Sequence, residues 1–147
     1  NKNKKDSFDF TTALHTYFKV DIKTAIVSGF KGTEYIDSID NNKVIKEEND
    51  KITITCEVDR RYKSVPNNIT LLDKSKKYNC IEVKSGNLPD IILWNPWINK
   101  SKRMSDYGDN EYNDMICIES ANVIKPIVLK NGQKWTGYQL IIPKIIE

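Results

Sequence analysis

An all-β fold, a sandwich or barrel of short strands, is predicted by two features of the sequence. Apolar and polar residues alternate with a period of two over most of the chain, the pattern of strands with one buried face. Turn residues interrupt that alternation at short intervals: Gly29, Gly32, Asn41-Asn42, Pro66-Asn67-Asn68, Gly86-Asn87 and Asn131-Gly132. Many short strands at such spacing indicate sheet packed on sheet.

The elements follow in chain order. The run FDFTTALHTYFKV, whose clearest strand is residues 14–20, begins without a preceding turn or cap, as a segment does when it is cut from something longer. Residues 24–27 form the next strand. In residues 52–58, Ile52, Ile54, Cys56 and Val58 alternate with Thr53, Thr55 and Glu57, which sends one row inward. Further strands are expected at residues 68–72, 79–83, 90–94, 115–119, 122–129 and 134–142. Asn131-Gly132, lying between Val128 and Trp135, is the strongest hairpin signal. A short helix is expected only within residues 97–106, with Pro96 near its first position. Residues 1–5 and 40–51, rich in Asn, Lys and Asp, read as solvated turns or tails. There is no internal repeat and no linker, so residues 1–147 form one unit.

Composition narrows the function classes. A chain of 147 residues can bury a single core, although 39% hydrophobic content is at the low end for a globular protein. No run of roughly eighteen apolar residues is present, so no helical membrane span is expected. The polar start NKNKKDSFDF is unlike a secretory signal, and a cytoplasmic location is expected. The net charge of +3 is spread along the chain, and no basic stripe interleaved with aromatics points to nucleic acid. Cys56, Cys80 and Cys117 are odd in number, lack a C-x-x-C pair and sit in apolar or alternating segments, which suits buried reduced thiols. One histidine and three dispersed cysteines offer no zinc ligand set. The acidic group Asp106, Asp109, Glu111 and Asp114 fails the EF-hand spacing. No metal or organic cofactor is expected.

Five residues could carry chemistry. His15, the only histidine, shares a strand face with Ala13 and Tyr17, which suits either a structural hydrogen bond or a proton donor near neutrality. Glu119 ends the apolar run Met115-Ile116-Cys117-Ile118 and is either a solvated strand end or a desolvated general base. Asp59, preceding Arg60, Arg61 and Tyr62, fits a surface ion pair or a site carboxylate. Trp94 and Asn95, in Trp94-Asn95-Pro96-Trp97, are core and turn or, alternatively, a sugar-stacking ring beside a hydroxyl-binding amide.

The blocks FTTALHTYF (residues 10–18), Val58-Asp59-Arg60-Arg61-Tyr62, Trp94-Asn95-Pro96-Trp97 and Met115-Ile116-Cys117-Ile118-Glu119 resemble, in order, those of the glucose-6-phosphate 1-epimerases. These hexose-6-phosphate mutarotases belong to the aldose 1-epimerase superfamily. Met104-Ser105-Asp106-Tyr107, Leu129-Lys130-Asn131-Gly132 and Trp135-Thr136-Gly137-Tyr138-Gln139 fit the same pattern. The resemblance implies a galactose-mutarotase-like β-sandwich, of which this chain is the C-terminal portion. It implies interconversion of the α and β anomers of a hexose 6-phosphate, with His15 as general acid, Glu119 as general base, and Asp59, Trp94 and Asn95 at the substrate. It implies no cofactor, and it leaves the phosphate-binding arginines to a preceding part of the domain. The full-length protein is then expected to be a monomer. A half-sandwich exposes strand edges, so this chain alone is expected to self-associate. A non-catalytic sugar- or sugar-phosphate-binding sandwich is the alternative reading.

Overall fold

The computed structural model describes residues 7–75, 77 and 79–146. The tail expected at residues 1–5 lies outside them. In chain order the strands are β1 (Ser7–Leu14), β2 (Tyr17–Lys19), β3 (Ile26–Ser28), β4 (Glu34–Asp37), β5 (Lys43–Lys46), β6 (Lys51–Ile52), β7 (Val58–Tyr62), β8 (Ile69–Leu72), β9 (Cys80–Gly86), β10 (Asp90–Asn95), β11 (Met115–Lys130) and β12 (Tyr138–Lys144). A five-residue helix, α1 (Trp97–Ser101), and a 3-10 turn at Glu111–Asp114 separate β10 from β11. The all-β expectation holds, and the strands form two sheets. The larger runs β1-β11-β10-β7-β4-β5, with β2 also paired to β11, and the smaller runs β12-β9-β8-β3-β6.

Alternation decides which side chains meet between the sheets. Val58 and Tyr62 of β7, Ile91 and Leu93 of β10, and Ile116 and Ile118 of β11 point inward and are buried. They belong to one core with Val27, Ile69, Leu71 and Val83 of the smaller sheet. Asp59 and Arg61 of β7, Ile92 and Trp94 of β10, and Cys117 and Glu119 of β11 therefore lie on the outer face of the larger sheet, which is where the site is built.

Several expected boundaries are corrected. Residues 14–20 are not one strand, because the chain breaks at His15-Thr16 and both flanks, β1 and β2, pair with β11. Residues 115–119 and 122–129 are one strand of 16 residues. Its register against β1 shifts between Phe10 and Thr12, a bulge that would leave amides unpaired. The buried carboxylate of Asp90 accepts from Val123 N and Ile124 N at 3.0 Å each, so the strand bends without stopping. Residues 40–51 are not wholly turn. Asn41 and Asn42 adopt positive φ (51° and 59°) within the turn that joins β4 to β5, a hairpin whose polar sequence hid its strands. The run 52–58 is interrupted, with Ile52, Ile54 and Val58 buried but Cys56 exposed, so two of the three expected buried thiols are buried.

The Asn131-Gly132 hairpin does not form. Gly132 turns the chain (φ 77°), but β12 crosses to the other sheet and pairs with β9. Asn87 Nδ2 donates to Thr136 O and holds the crossing in place. Gln139 Nε2 then donates to Ile118 O and to Ser120 Oγ, tying β12 to the middle of β11.

Leu93 is fully buried between the sheets. Leu93→Ala is expected to cost about 2–5 kcal/mol, read as a lower urea midpoint at unchanged slope.

Candidate active site

The strand registers bring the expected residues together. Asp59 lies opposite Trp94, Trp94 opposite Cys117, and Cys117 opposite Tyr17, a single row across β7, β10, β11 and β2. Glu119 lies two residues along from Cys117 on the same outer face, opposite Ile92. His15 reaches this row from the break between β1 and β2. There Thr16 N bonds back to Leu14 O at 2.8 Å, and Thr16 Oγ1 donates to Gln139 Oε1 at 2.6 Å. The strand interruption at His15-Thr16 thus places the imidazole over β11.

His15 Nε2 stands 3.3 Å from Glu119 Oε1, with side chains 51% and 4% exposed respectively. His15 Nδ1 lies 3.7 Å from Cys117 Sγ. The imidazole stacks on Tyr17 (centroids 4.9 Å apart) and meets the edge of Trp94 at 5.7 Å. The ring is therefore packed on Tyr17 and Trp94 and turns its nitrogens toward β11, while the side chain as a whole stays half-exposed. Burial pushes the Glu119 carboxyl up to about 7, and the nearby charge of Asp59 adds to the effect. Burial also raises the Cys117 thiol, with the Glu119 charge acting in the same direction.

Asp59 lies 3.7 Å from Lys100 Nζ, which is also 3.4 Å from Glu57 Oε1. The same ammonium sits 5.8 Å from the Trp94 ring. Asp59 is thus at the rim, across Trp94 from the His15–Glu119 pair. Trp94 is 8% exposed, so it is the floor of the site rather than a free stacking platform. Asn95 is corrected from a substrate contact to a structural residue, because its fully buried carboxamide is already used. Nδ2 donates to Tyr112 O and Met115 O, and Oδ1 accepts from Trp97 N, whose residue has a positive φ of 54°.

Three further residues contribute, and of these sequence reasoning had placed only Tyr17 beside His15. Tyr17 and Tyr107 line a cavity of about 450 Å³ beside the pair, together with Asp106 and Met115. The Tyr107 hydroxyl is buried with no hydrogen-bond partner among the described residues. The packing of Tyr17 on His15 agrees with the strand face that their i, i+2 spacing gave them; the position of Tyr107, on a loop, was not legible in the sequence. The third is Cys117. His15, Cys117 and Glu119 offer donor atoms that all lie within 4.8 Å of one another. The expectation that the chain holds no metal-ligand set is corrected to that extent, since residues 102 apart in sequence converge only in the fold. Among the described residues, no helix is long and apolar enough to cross a membrane.

Comparison with known proteins agrees with this architecture. The aldose 1-epimerase family model matches residues 1–141. A "Putative glucose-6-phosphate 1-epimerase" of Cenchrus ciliaris is 43% identical over 131 residues, covering 88% of this chain and 40% of that protein. One of the same name from Escherichia coli K12 is 31% identical over 115 residues, covering 78% and 38%. A crystal structure of a "putative mutarotase (YeaD)" from Salmonella typhimurium superposes with a TM-score of 0.78 at 26% identity, covering 93% of this chain and 45% of that one. The chain therefore spans about 40% of the length of the curated relatives it matches. With residues 1–141 matched by the family model, and its fold shared with the Salmonella structure, the chain belongs to the aldose 1-epimerase family.

Proposed function

We propose that this chain supplies the acid–base pair of a mutarotase that interconverts the α and β anomers of a hexose 6-phosphate. The observation that carries the reading is the contact between half-exposed His15 and buried Glu119 at 3.3 Å, on a floor of Trp94 and Tyr17. The anomeric hydroxyl oxygen and the ring oxygen of a pyranose are bonded to the same carbon. Two groups this close can therefore each reach one of them.

Glu119 takes the proton of the anomeric hydroxyl while His15, as imidazolium, gives a proton to the ring oxygen. The bond from the anomeric carbon to the ring oxygen breaks, leaving an aldehyde and a hydroxyl. Rotation about C1–C2 presents the other carbonyl face. The two residues then exchange roles as the ring closes, which restores the protons. A carboxyl held at about 7 suits a group that must accept and return a proton near neutrality.

The hexose-phosphate substrate is proposed from the names of the relatives. Arg60 is engaged with Glu47 at 3.3 Å and Arg61 with Asn42 at 2.5 Å, so neither is offered as its phosphate ligand. A cytoplasmic setting is proposed with the same substrate.

Exchange NMR between α- and β-glucose 6-phosphate tests the assignment. Glu119→Gln should lower the enzymatic exchange rate by roughly 10²–10⁴-fold, and undiminished exchange would remove Glu119 from the mechanism. Wild-type binding without any exchange enhancement would favour the non-catalytic sugar-binding alternative.

The raised carboxyl also has a stability consequence. A group whose folded pKa lies above its unfolded value stabilises fully below the unfolded value, and that contribution is lost as pH rises through the folded one, here about 7. Glu119→Gln should therefore gain stability relative to wild type on going from pH 4 to pH 8, by about 3 kcal/mol. Urea denaturation at the two pH values measures it, and an unchanged difference would mean that Glu119 is not held protonated by burial.

A further inference from the structure

We propose that His15, Cys117 and Glu119 form a binding site for one thiophilic divalent cation of the zinc type, and that the bound ion blocks proton transfer by His15 and Glu119. Zinc lies about 2.0–2.3 Å from nitrogen, oxygen and sulfur donors, so tetrahedral ligand atoms are about 3.3–3.6 Å apart. The His15–Cys117 and His15–Glu119 contacts are 3.7 Å and 3.3 Å, and the three donors fall within 4.8 Å of one another.

Cys117 and Glu119 are two residues apart on one face of β11, in the interior of the larger sheet, so the backbone presets their spacing. The imidazole turns a different nitrogen toward each of them. Binding would require the ring to turn from its stack on Tyr17 so that one nitrogen faces both, at a residue that is half-exposed and lies in the break between two strands. The half-exposed side leaves the fourth position to solvent, the arrangement of three protein ligands and one open place.

The donor set selects the ion. One thiolate, one imidazole and one carboxylate suit zinc or cobalt(II), whereas magnesium and calcium take oxygen ligands. On binding, the Cys117 thiol gives its proton to solvent. The ion would occupy the lone pairs that the acid–base cycle needs, so it acts as an inhibitor rather than a cofactor. Cys117 has no part in that cycle.

Cobalt(II) titration of this chain, followed by the near-ultraviolet thiolate-to-cobalt charge-transfer band, tests the site itself. The band should saturate at a single equivalent in wild type and be absent in Cys117→Ala and Cys117→Ser. A missing band, or one that survives both substitutions, would overturn the proposal. The inhibitory arm rests on the mutarotase reading and is measured separately. A single equivalent of zinc should slow wild-type anomer exchange by roughly 10²-fold or more, and should leave Cys117→Ser at its own metal-free rate. Equal inhibition of both proteins would overturn the inhibitory role. A wild-type protein without exchange activity would count against the proposed function and leave the cobalt result to decide the metal site.

Discussion

The burial of one carboxylate beneath one imidazole is the constraint on which the structure's chemistry depends. Glu119 sits in the first half of β11, and its side chain is almost entirely withdrawn from water. An ionised carboxylate in that position costs free energy unless something compensates it, and the charge of Asp59, across Trp94 on the same sheet face, makes the cost larger. His15 lies against it at 3.3 Å and is the member of the pair that solvent can reach. Proton affinity is thereby set by the buried residue and access by the exposed one.

Holding that pair in register falls to buried polar groups that take no part in it. Asp90 satisfies the amides freed where β11 bulges, so β1 can follow the strand on both sides of the irregularity. Gln139 bonds Ile118 and Ser120 from the opposite sheet and accepts from Thr16, the neighbour of His15. Ser120 Oγ also meets Ser85 Oγ at 2.6 Å, so the chain of contacts spans the sandwich. Asn95 fastens the segments on either side of α1 and the 3-10 turn, which brings Tyr107 against Trp94. Each of these side chains links the core of the sandwich to the geometry of its outer face.

What was legible in the sequence follows from the range of the signals. Two-residue alternation is local, and it marked the inward row that ends at Val58 and the strand character of residues 90–94 and 115–119, while leaving open whether Trp94 belongs to the core. The resemblance of ordered blocks brought His15 and Glu119 into one site before any coordinates did. Pairing is not local. Asn131-Gly132 has hairpin chemistry, yet the contacts of Asn87 and Gln139 carry β12 to the other sheet. Nor could the sequence show that a carboxamide such as that of Asn95 is fully spent, or that a thiol 102 residues away approaches His15. The β4–β5 hairpin was hidden because an outer hairpin at the sheet edge needs little apolar sequence to form.

Carbon-13 NMR of the Glu119 side-chain carboxyl, in glutamate-labelled chain with Glu119→Gln to assign the resonance, tests the central claim most directly. Burial in the sheet, with the charge of Asp59 acting in the same direction, predicts that this carboxyl titrates at about 7. A midpoint in the ordinary carboxylate range, near 4.5, would show an exposed and ionised side chain and would contradict the account.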